Sequence, residues 1–223
     1  GTNPLTQFIG TTDNQDLVFK RNNIESFRLS GASGNLVTTA DAVINGVIIG
    51  KGKWQDIYST AIGNWALYSS DNTTYSNTAN GYHALYANID GYENTAVGDG
   101  GLQSNISWFE NTAVWVWSIQ ANTGWWGNTA LGVFTLGANT NGNTNTAIGY
   151  YAWQNLITGS NNIAIGANTN LASATASNQL NIGNWIYGSG GNIGIGKTTP
   201  SYKLDVAWTW SFYGLRVSSG ATS

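Results

Sequence analysis

Four acids in the middle of the chain have the residue type and spacing that could hydrolyse a sugar polymer: Asp90, Glu93, Asp99 and Glu110. Glycosidases use two carboxyl groups about 5 to 10 Å apart, one as general acid and one as base or nucleophile. If successive chain segments stack, these acids could approach one another. Charged side chains mostly lie at the surface, so scattered solvated acids explain the same pattern. We therefore predict that the protein is not an enzyme and has no catalytic residues.

Histidine and cysteine chemistry finds little support. His83 is the only histidine, and the chain has no cysteine. A Ser-His-Asp site would have to be built around this one residue, and thiolate metal sites are excluded. Asp13, Asp16 and Asp99 offer oxygen ligands for calcium, but no loop has the spacing of an EF-hand. We predict a structural role for His83, and no metal or other cofactor.

Aromatic residues recur in two series and could form a ligand-binding surface. An aromatic ring offers apolar area with a polar rim, which suits stacking on sugars when the rings lie in the turns of a regular scaffold. The alternative is that the rings pack between protomers or cover the edges of the fold, because large aromatics are mostly buried. The candidate residues are Trp65, Trp117, Phe134 and Tyr151 in one series, and Tyr92, Phe109 and Trp126 in the other.

A short repeat, Asn/Ser-Thr-Ala-x-Gly, supplies the scaffold that would position these rings. From residue 77 onward it returns every 17 residues, while the first interval is 18 and the last is 13. A fixed period of this size indicates a solenoid, and Asn, Thr, Gly and β-branched residues favour strands and turns. We number the coil positions 1 to 17 from the Asn, which places the aromatic series at positions 7 and 16. The copies begin at Ser59, Asn77, Asn94, Asn111, Asn128, Asn145, Asn162, Gln179 and Asn192.

Each coil is predicted to contain a strand over the repeat motif and a second short strand at positions 8 to 10, as in Ala84-Leu85-Tyr86. Gly91, Gly142 and Gly159 share position 15, where we expect positive φ. Tryptophan replaces glycine at position 5 in Trp115 and at position 15 in Trp108 and Trp125. Because Trp does not adopt positive φ cheaply, the turns that carry it should differ locally.

Side-chain alternation divides the motif strand into two faces. Thr and the aliphatic residue share one face, while Asn, Ala and Gly share the other. We expect the aliphatic face to fill the coil interior and the small face to meet another surface closely. Asn side chains about 4.8 Å apart in stacked coils can form amide ladders, although Asn could instead serve only as a turn former. The regular Thr column raises an ice-binding alternative, which the expected inward orientation argues against.

Composition favours a fibrous, extracellular protein with few charged residues. Of the 223 residues, 9% are charged, the net charge is −3, and glycine occurs 29 times. Nucleic-acid binding calls for clustered Lys and Arg, so the acidic balance argues against it. No apolar run approaches the roughly 20 residues of a membrane span, so we predict no membrane insertion.

The repeats resemble the β-roll shafts of phage tail fibres and bacterial surface proteins. The resemblance rests on the NTAxG copies together with the flanking Gln7–Phe19 segment and the Asn192–Val206 segment, and it covers most of the chain. The repeats are also similar to the YadA-like heads of trimeric autotransporter adhesins. Proteins of the tail-fibre type commonly carry an endosialidase-type intramolecular chaperone downstream. The resemblance implies a homotrimer of left-handed parallel β-rolls that lies outside the cell, on a virion or a bacterial surface, and serves attachment.

We therefore predict an all-β fold with three parts: an N-terminal β cap (1–57), a repeat array (58–196) and a C-terminal connector (197–223). Strands are expected at residues 17–20 and 26–29 of the cap, and through Trp208, Trp210 and Phe212 of the connector. Trimerisation also has a physical argument, because a thin coil encloses little volume and three rolls packed through their small-residue faces would bury a second core. The predicted function is an adhesive fibre module that presents a receptor- or glycan-binding surface. The alternatives are a purely structural shaft and a polysaccharide-degrading tailspike.

Overall fold

A computed structural model describes residues 15–31, 36–38, 42–44, 47–50, 58–70, 75–123 and 125–207. These residues form sixteen β-strands and no helix. The first three make a small antiparallel sheet: β1 (Leu17–Arg21), β2 (Ile24–Leu29) and β3 (Leu36–Thr38). The turn between β1 and β2 uses Asn22 and Asn23 at φ 52° and 63°, a conformation that asparagine tolerates in tight hairpins.

The other thirteen strands form one sheet in which each strand pairs with its neighbours in the sequence. They are β4 (Ala42–Ile44), β5 (Val47–Gly50), β6 (Thr60–Ile62), β7 (Thr78–Asn80), β8 (Thr95–Val97), β9 (Thr112–Val114), β10 (Thr129–Leu131), β11 (Thr146–Ile148), β12 (Ile163–Ile165), β13 (Leu180–Ile182), β14 (Ile186–Ser189), β15 (Asn192–Ile195) and β16 (Leu204–Val206).

Strands β6 to β13 are parallel and in register, so Thr lies opposite Thr from β6 to β11 and Ala lies opposite Ala from β6 to β12. Each strand is three residues long, and the rest of the coil returns the chain to the start of the next strand. The β-solenoid of about 17-residue coils predicted from the repeats is confirmed. The longer first interval keeps the same register, because Thr60 pairs with Thr78.

Both ends of the parallel stack are covered by strands of a different kind. At the N-terminal end β5 pairs antiparallel with β6. At the C-terminal end β14 and β15 form an antiparallel hairpin on β13, and β16 returns parallel to β15. The repeat copy at Asn192 is therefore part of a hairpin, which explains its short interval of 13 residues. Covering the edge strands in this way protects backbone groups that would otherwise be open to pairing with another chain.

The alternation of faces within the motif strand is as predicted, but its direction is reversed. The Ala at position 3 is fully buried in coil after coil, as in Ala96 and Ala130, while the flanking Thr and aliphatic residues are half-buried or exposed. The interior is filled from the opposite side by the apolar residue of position 9, including Leu85 and Leu102 at 0% exposure. Since the side chain of position 9 fills most of the narrow space inside the coil, only the methyl group of an alanine fits beside it at position 3. The small-residue face lies inside each chain, and the expectation that three chains pack through it is wrong.

The second strand predicted at positions 8 to 10 is also wrong, because this segment is a turn. Position 7 and position 9 both have positive φ, for example 56° at His83 and 51° at Leu85. Its amides still bond to the next coil: the N–H of Leu67 donates to the carbonyl oxygen of Ala84 at 3.1 Å. The two residues with left-handed backbone place the side chain of position 9 inside the coil and that of position 7 outside. In an extended strand, side chains two residues apart would lie on the same face.

The prediction of positive φ at Gly91, Gly142 and Gly159 is wrong. The left-handed residue of this turn lies at position 17, where Glu93 has φ 55° and Thr144 has φ 51°. Glycine at position 15 instead permits close packing, since a Cβ on Gly142 would lie 2.2 Å from the carbonyl oxygen of Gly159.

The local difference expected of turns that carry tryptophan is seen only as a shifted φ at Trp115, which stays positive; position 15, where Trp108 and Trp125 lie, does not have positive φ, so the strain expected there does not arise. Trp115 replaces the glycine of position 5 and has φ 94°, against 122° at Gly98 and 139° at Gly132. Trp108 and Trp125, which replace glycine at position 15, stack on each other with ring centroids 5.8 Å apart. The strands predicted through Trp208, Trp210 and Phe212, and the calcium ligand considered at Asp13, lie outside the described residues.

Candidate functional site

The outer face of the long sheet carries two columns of uncharged side chains. One column consists of Thr60, Thr78, Thr95, Thr112, Thr129 and Thr146, and it becomes aliphatic at Ile163 and Leu180. These threonines are half-buried or exposed. The inward orientation expected of the threonines, which argued against the ice-binding alternative, is therefore wrong.

The second column forms an aliphatic ridge along the sheet. Strand register continues it beyond the repeats at both ends, through β5 and through β14 to β16. Twelve strands about 4.8 Å apart make the ridge roughly 50 Å long. Its members are Ile49, Ile62, Asn80, Val97, Val114, Leu131, Ile148, Ile165, Ile182, Ile186, Ile195 and Val206, of which only Asn80 is polar.

Beneath this face, the position 1 asparagines form the predicted amide ladder, so turn formation is not their only role. Both the backbone N–H and the side-chain Nδ2 of Asn145 donate to Oδ1 of Asn128, each at 3.1 Å. Ser59 begins the ladder by accepting from Asn77, and Gln179 ends it by donating to Asn162. All these side chains are buried. The ladder satisfies polar groups that would otherwise be costly inside the coil.

A second buried asparagine column at position 12 escaped the sequence analysis. Nδ2 of Asn105 donates to Oδ1 of Asn88 at 2.8 Å, and Nδ2 of Asn122 donates to Oδ1 of Asn105 at 3.1 Å. The series stops at Asn139, whose Nδ2 bonds to the carbonyl oxygen of Gly142 instead. The signal was present in the sequence, since these residues also recur every 17 residues.

The four candidate ligand residues of position 7 lie on the outside of the turn, three of them next to one another. Trp117 meets Phe134 edge-on at 4.8 Å, and Phe134 stacks on Tyr151 at 5.1 Å. Trp65 stands apart from these three and makes an edge contact with Tyr68 at 4.6 Å. Trp65 and Trp117 keep 39% and 38% of their surface exposed.

The three candidates of position 16 belong to a ladder of four stacked rings. Tyr75 stacks on Tyr92 at 4.7 Å, Tyr92 on Phe109 at 4.7 Å, and Phe109 on Trp126 at 6.0 Å, with interplanar angles of 10° or less. Both faces of Tyr92 and Phe109 are therefore covered by neighbouring rings, and only their edges reach the solvent. Tyr75 was missed because the 18-residue interval displaces it by one position, although Tyr75-Ser76-Asn77 matches Tyr92-Glu93-Asn94.

His83 lies among aromatic rings. Its ring centroid is 3.9 Å from that of Tyr82, 4.8 Å from that of Tyr86 and 6.3 Å from that of Trp65. These contacts fit the structural role predicted for it.

The four acids considered for glycoside hydrolysis, Asp90, Glu93, Asp99 and Glu110, are all exposed. Glu93 and Glu110 occupy position 17 of successive coils, one residue after Tyr92 and Phe109 of the ladder. Absence of enzymatic activity stays a prediction.

Electrostatics links these acids to the aromatic ladder. Partial burial raises the pKa of Tyr92 above its usual value, and the neighbouring Tyr75 raises it further. The carboxylates of Glu93 and Glu110 also raise the pKa of Tyr92, because they disfavour a negative charge on its phenol oxygen. The acids therefore set a negative potential along this edge of the ladder.

The part of the chain that the structure describes contains no group of three or more His, Asp or Glu residues that could hold a metal ion. Within the same residues, no helix has the length and apolarity needed to cross a membrane.

Comparison of the chain with protein-family models, with curated proteins and with solved structures gives no match.

Proposed function

We propose that the protein is a structural and adhesive fibre module of a virion or bacterial surface, and that it self-associates, as a homotrimer, through the outer face of its long sheet. The observation that carries this proposal is the uncharged ridge of twelve strands with Asn80 as its one polar member. Two parts of the proposal, the location outside the cell and the trimeric state, rest on the resemblance of the NTAxG repeats to fibre shafts and adhesin heads.

The exposed aliphatic surface supports self-association over a free monomer. Leu131, Ile182 and Ile195 are 41%, 37% and 44% exposed, and they lie on one continuous face. Monomeric soluble proteins rarely expose contiguous apolar patches larger than a few hundred Å². A face that repeats along an axis is matched best by another copy of itself, since each coil then meets an equivalent coil.

The test is the mass of the purified chain in solution, measured by light scattering. The proposal expects a trimer near three times 23.7 kDa. The double variant Val114→Lys/Leu131→Lys should dissociate it, because burying unpaired ammonium groups in an apolar interface is costly.

The matched control is Asn141→Lys/Gln154→Lys, which adds the same charge at exposed turn positions away from the ridge. Circular dichroism would check that both variants remain folded. A wild-type chain that is monomeric at all accessible concentrations, or equal masses for the two double variants, would contradict the proposal.

A second candidate function, glycan binding, is favoured at Trp65 and Trp117. Sugar stacking needs an open aromatic face. The inner rings of position 16 lack one, whereas Trp65 and Trp117 make edge contacts and remain more than a third exposed. Glycan-array binding that survives Trp65→Ala and Trp117→Ala would rule out these two residues.

A further inference from the structure

The ladder of Tyr75, Tyr92, Phe109 and Trp126 is a regular surface that the proposed fibre function does not use. Its rings lie parallel to one another, so together they present a strip of ring edges parallel to the solenoid axis. Tyr75 is 42% exposed and the other three rings are half-buried. The strip is therefore accessible over four coils.

Ring edges and ring faces attract different ligands. The edge of an aromatic ring carries a partial positive charge and the face a partial negative charge, so an edge pairs best with the face of another ring. A planar aromatic molecule laid along the axis would place its face against all four edges in succession. Each contact would be of the edge-to-face type that aromatic pairs prefer at centroid distances of about 4.5 to 7 Å. A sugar ring would need the faces that the stack conceals.

Charge selects among planar ligands. Glu93 and Glu110 follow the second and third rings of the ladder in the sequence, and both are exposed. Residues 58–196 contain five acids and neither lysine nor arginine, so no cation of the array offsets these two carboxylates. A positively charged ligand would gain from both carboxylates, whereas an anion would be repelled.

We propose that this ladder edge binds elongated planar aromatic cations, with the ligand lying parallel to the solenoid axis across Tyr92 and Phe109. The site is distinct from the sheet ridge and from Trp65 and Trp117, so loss of ligand binding here would leave the proposed fibre function untouched.

The probe is thioflavin T, a planar benzothiazolium cation, titrated into a clarified solution of the 223-residue chain, with binding followed by fluorescence and by equilibrium dialysis. Saturable binding is expected. Phe109→Leu and Tyr92→Leu should each weaken it about two- to tenfold, because each removes one edge contact. Trp185→Leu is the matched control, since it removes a 77% exposed aromatic outside the ladder and should leave the affinity unchanged.

The charge is tested by Glu93→Gln/Glu110→Gln, two exposed changes that keep the ladder intact. Affinity should fall about threefold or more at low salt, and it should become less sensitive to salt. The proposal is overturned if the ladder variants bind as tightly as Trp185→Leu, if the Gln variant is unchanged, or if fluorescence is found only in sedimented aggregates.

Discussion

Oδ1 of Asn111 accepts two hydrogen bonds from Asn128 in the next coil, one from the backbone N–H at 3.0 Å and one from Nδ2 at 3.2 Å. Asn128 passes the same pair of interactions on to Asn145. The side-chain oxygen of each asparagine thus accepts hydrogen bonds from the next coil, and its N–H groups donate to the asparagine of the coil before it. The coils are joined inside the molecule by polar groups that have no access to water.

Replacing one member of this ladder should be strongly destabilising. Asn128→Ala leaves the N–H and Nδ2 of Asn145 without their buried acceptor, although Nδ2 of Asn145 keeps its bond to the carbonyl oxygen of Gly159. We expect the free energy of unfolding to fall by about 3 kcal/mol, measured by urea denaturation. The exposed Asn141→Ala should change it by less than about 0.5 kcal/mol. Equal effects of the two substitutions would contradict a stabilising ladder.

Replacing Trp115 with glycine should stabilise the protein. Trp115 has φ 94°, and its side chain is 56% exposed, so its strain is poorly offset by packing. Relief of strain from an unfavourable backbone conformation is of order 1 to 3 kcal/mol. We expect a gain of about 1 kcal/mol for Trp115→Gly in urea denaturation. Trp185→Gly, at an exposed site whose φ is not positive, should be neutral or destabilising.

Ile119→Leu should also raise stability. Ile119 is fully buried at position 9 with φ 48°, whereas the same position holds leucine in Leu102 and Leu136. A β-branched side chain is especially strained at positive φ, and leucine conserves its volume. We expect a gain of about 0.5 to 1 kcal/mol in the free energy of unfolding. A loss greater than about 1 kcal/mol would mean that the coil packs specifically around isoleucine.

Acid should weaken the C-terminal end of the sheet through Asp205. A hydrogen bond from Lys197 at 2.7 Å lowers the pKa of Asp205, and the backbone N–H of Ser201 lowers it further. Because the folded-state pKa lies below the unfolded one, the contribution is complete above the ordinary carboxyl pKa and is lost as pH falls through the lowered value.

The measurement is thermal unfolding of wild type and Asp205→Asn between about pH 6 and pH 2. The wild type should be more stable above about pH 4, and the difference should shrink towards pH 2. A difference that does not depend on pH would show that the carboxylate charge is not what stabilises this end.

The period of the sequence was sufficient to predict a strand at each motif, because a fixed spacing with Thr, Ala and aliphatic residues allows one stacked arrangement. It did not reveal which face points inward. Alternation places residues on two faces but does not distinguish the inner face from the outer one. Because valine is more hydrophobic than alanine, Val97 was expected to point inward rather than Ala96. The structure reverses the choice because Leu85 and Leu102 fill the coil from the opposite side.

The turns were less predictable than the strands. Positive φ is signalled by glycine, yet at positions 7, 9 and 17 it is adopted mostly by other residues, including Trp117 and Leu136. The aromatic series were visible in the sequence, but whether rings meet by face or by edge depends on backbone geometry. The stacking of Phe109 on Trp126 and the edge contact of Trp117 with Phe134 could therefore be found only in the structure.

The in-register pairing of β6 to β13 has a consequence for evolution of the chain's size. The strand pairs join equivalent positions of successive coils, so removing or duplicating one whole repeat, such as residues 112–128, would leave each remaining strand junction chemically similar to those already present. The length of the solenoid can thus change by whole coils, in steps of about 4.8 Å. Recombination between repeats would change the length of the solenoid without requiring a new kind of strand junction.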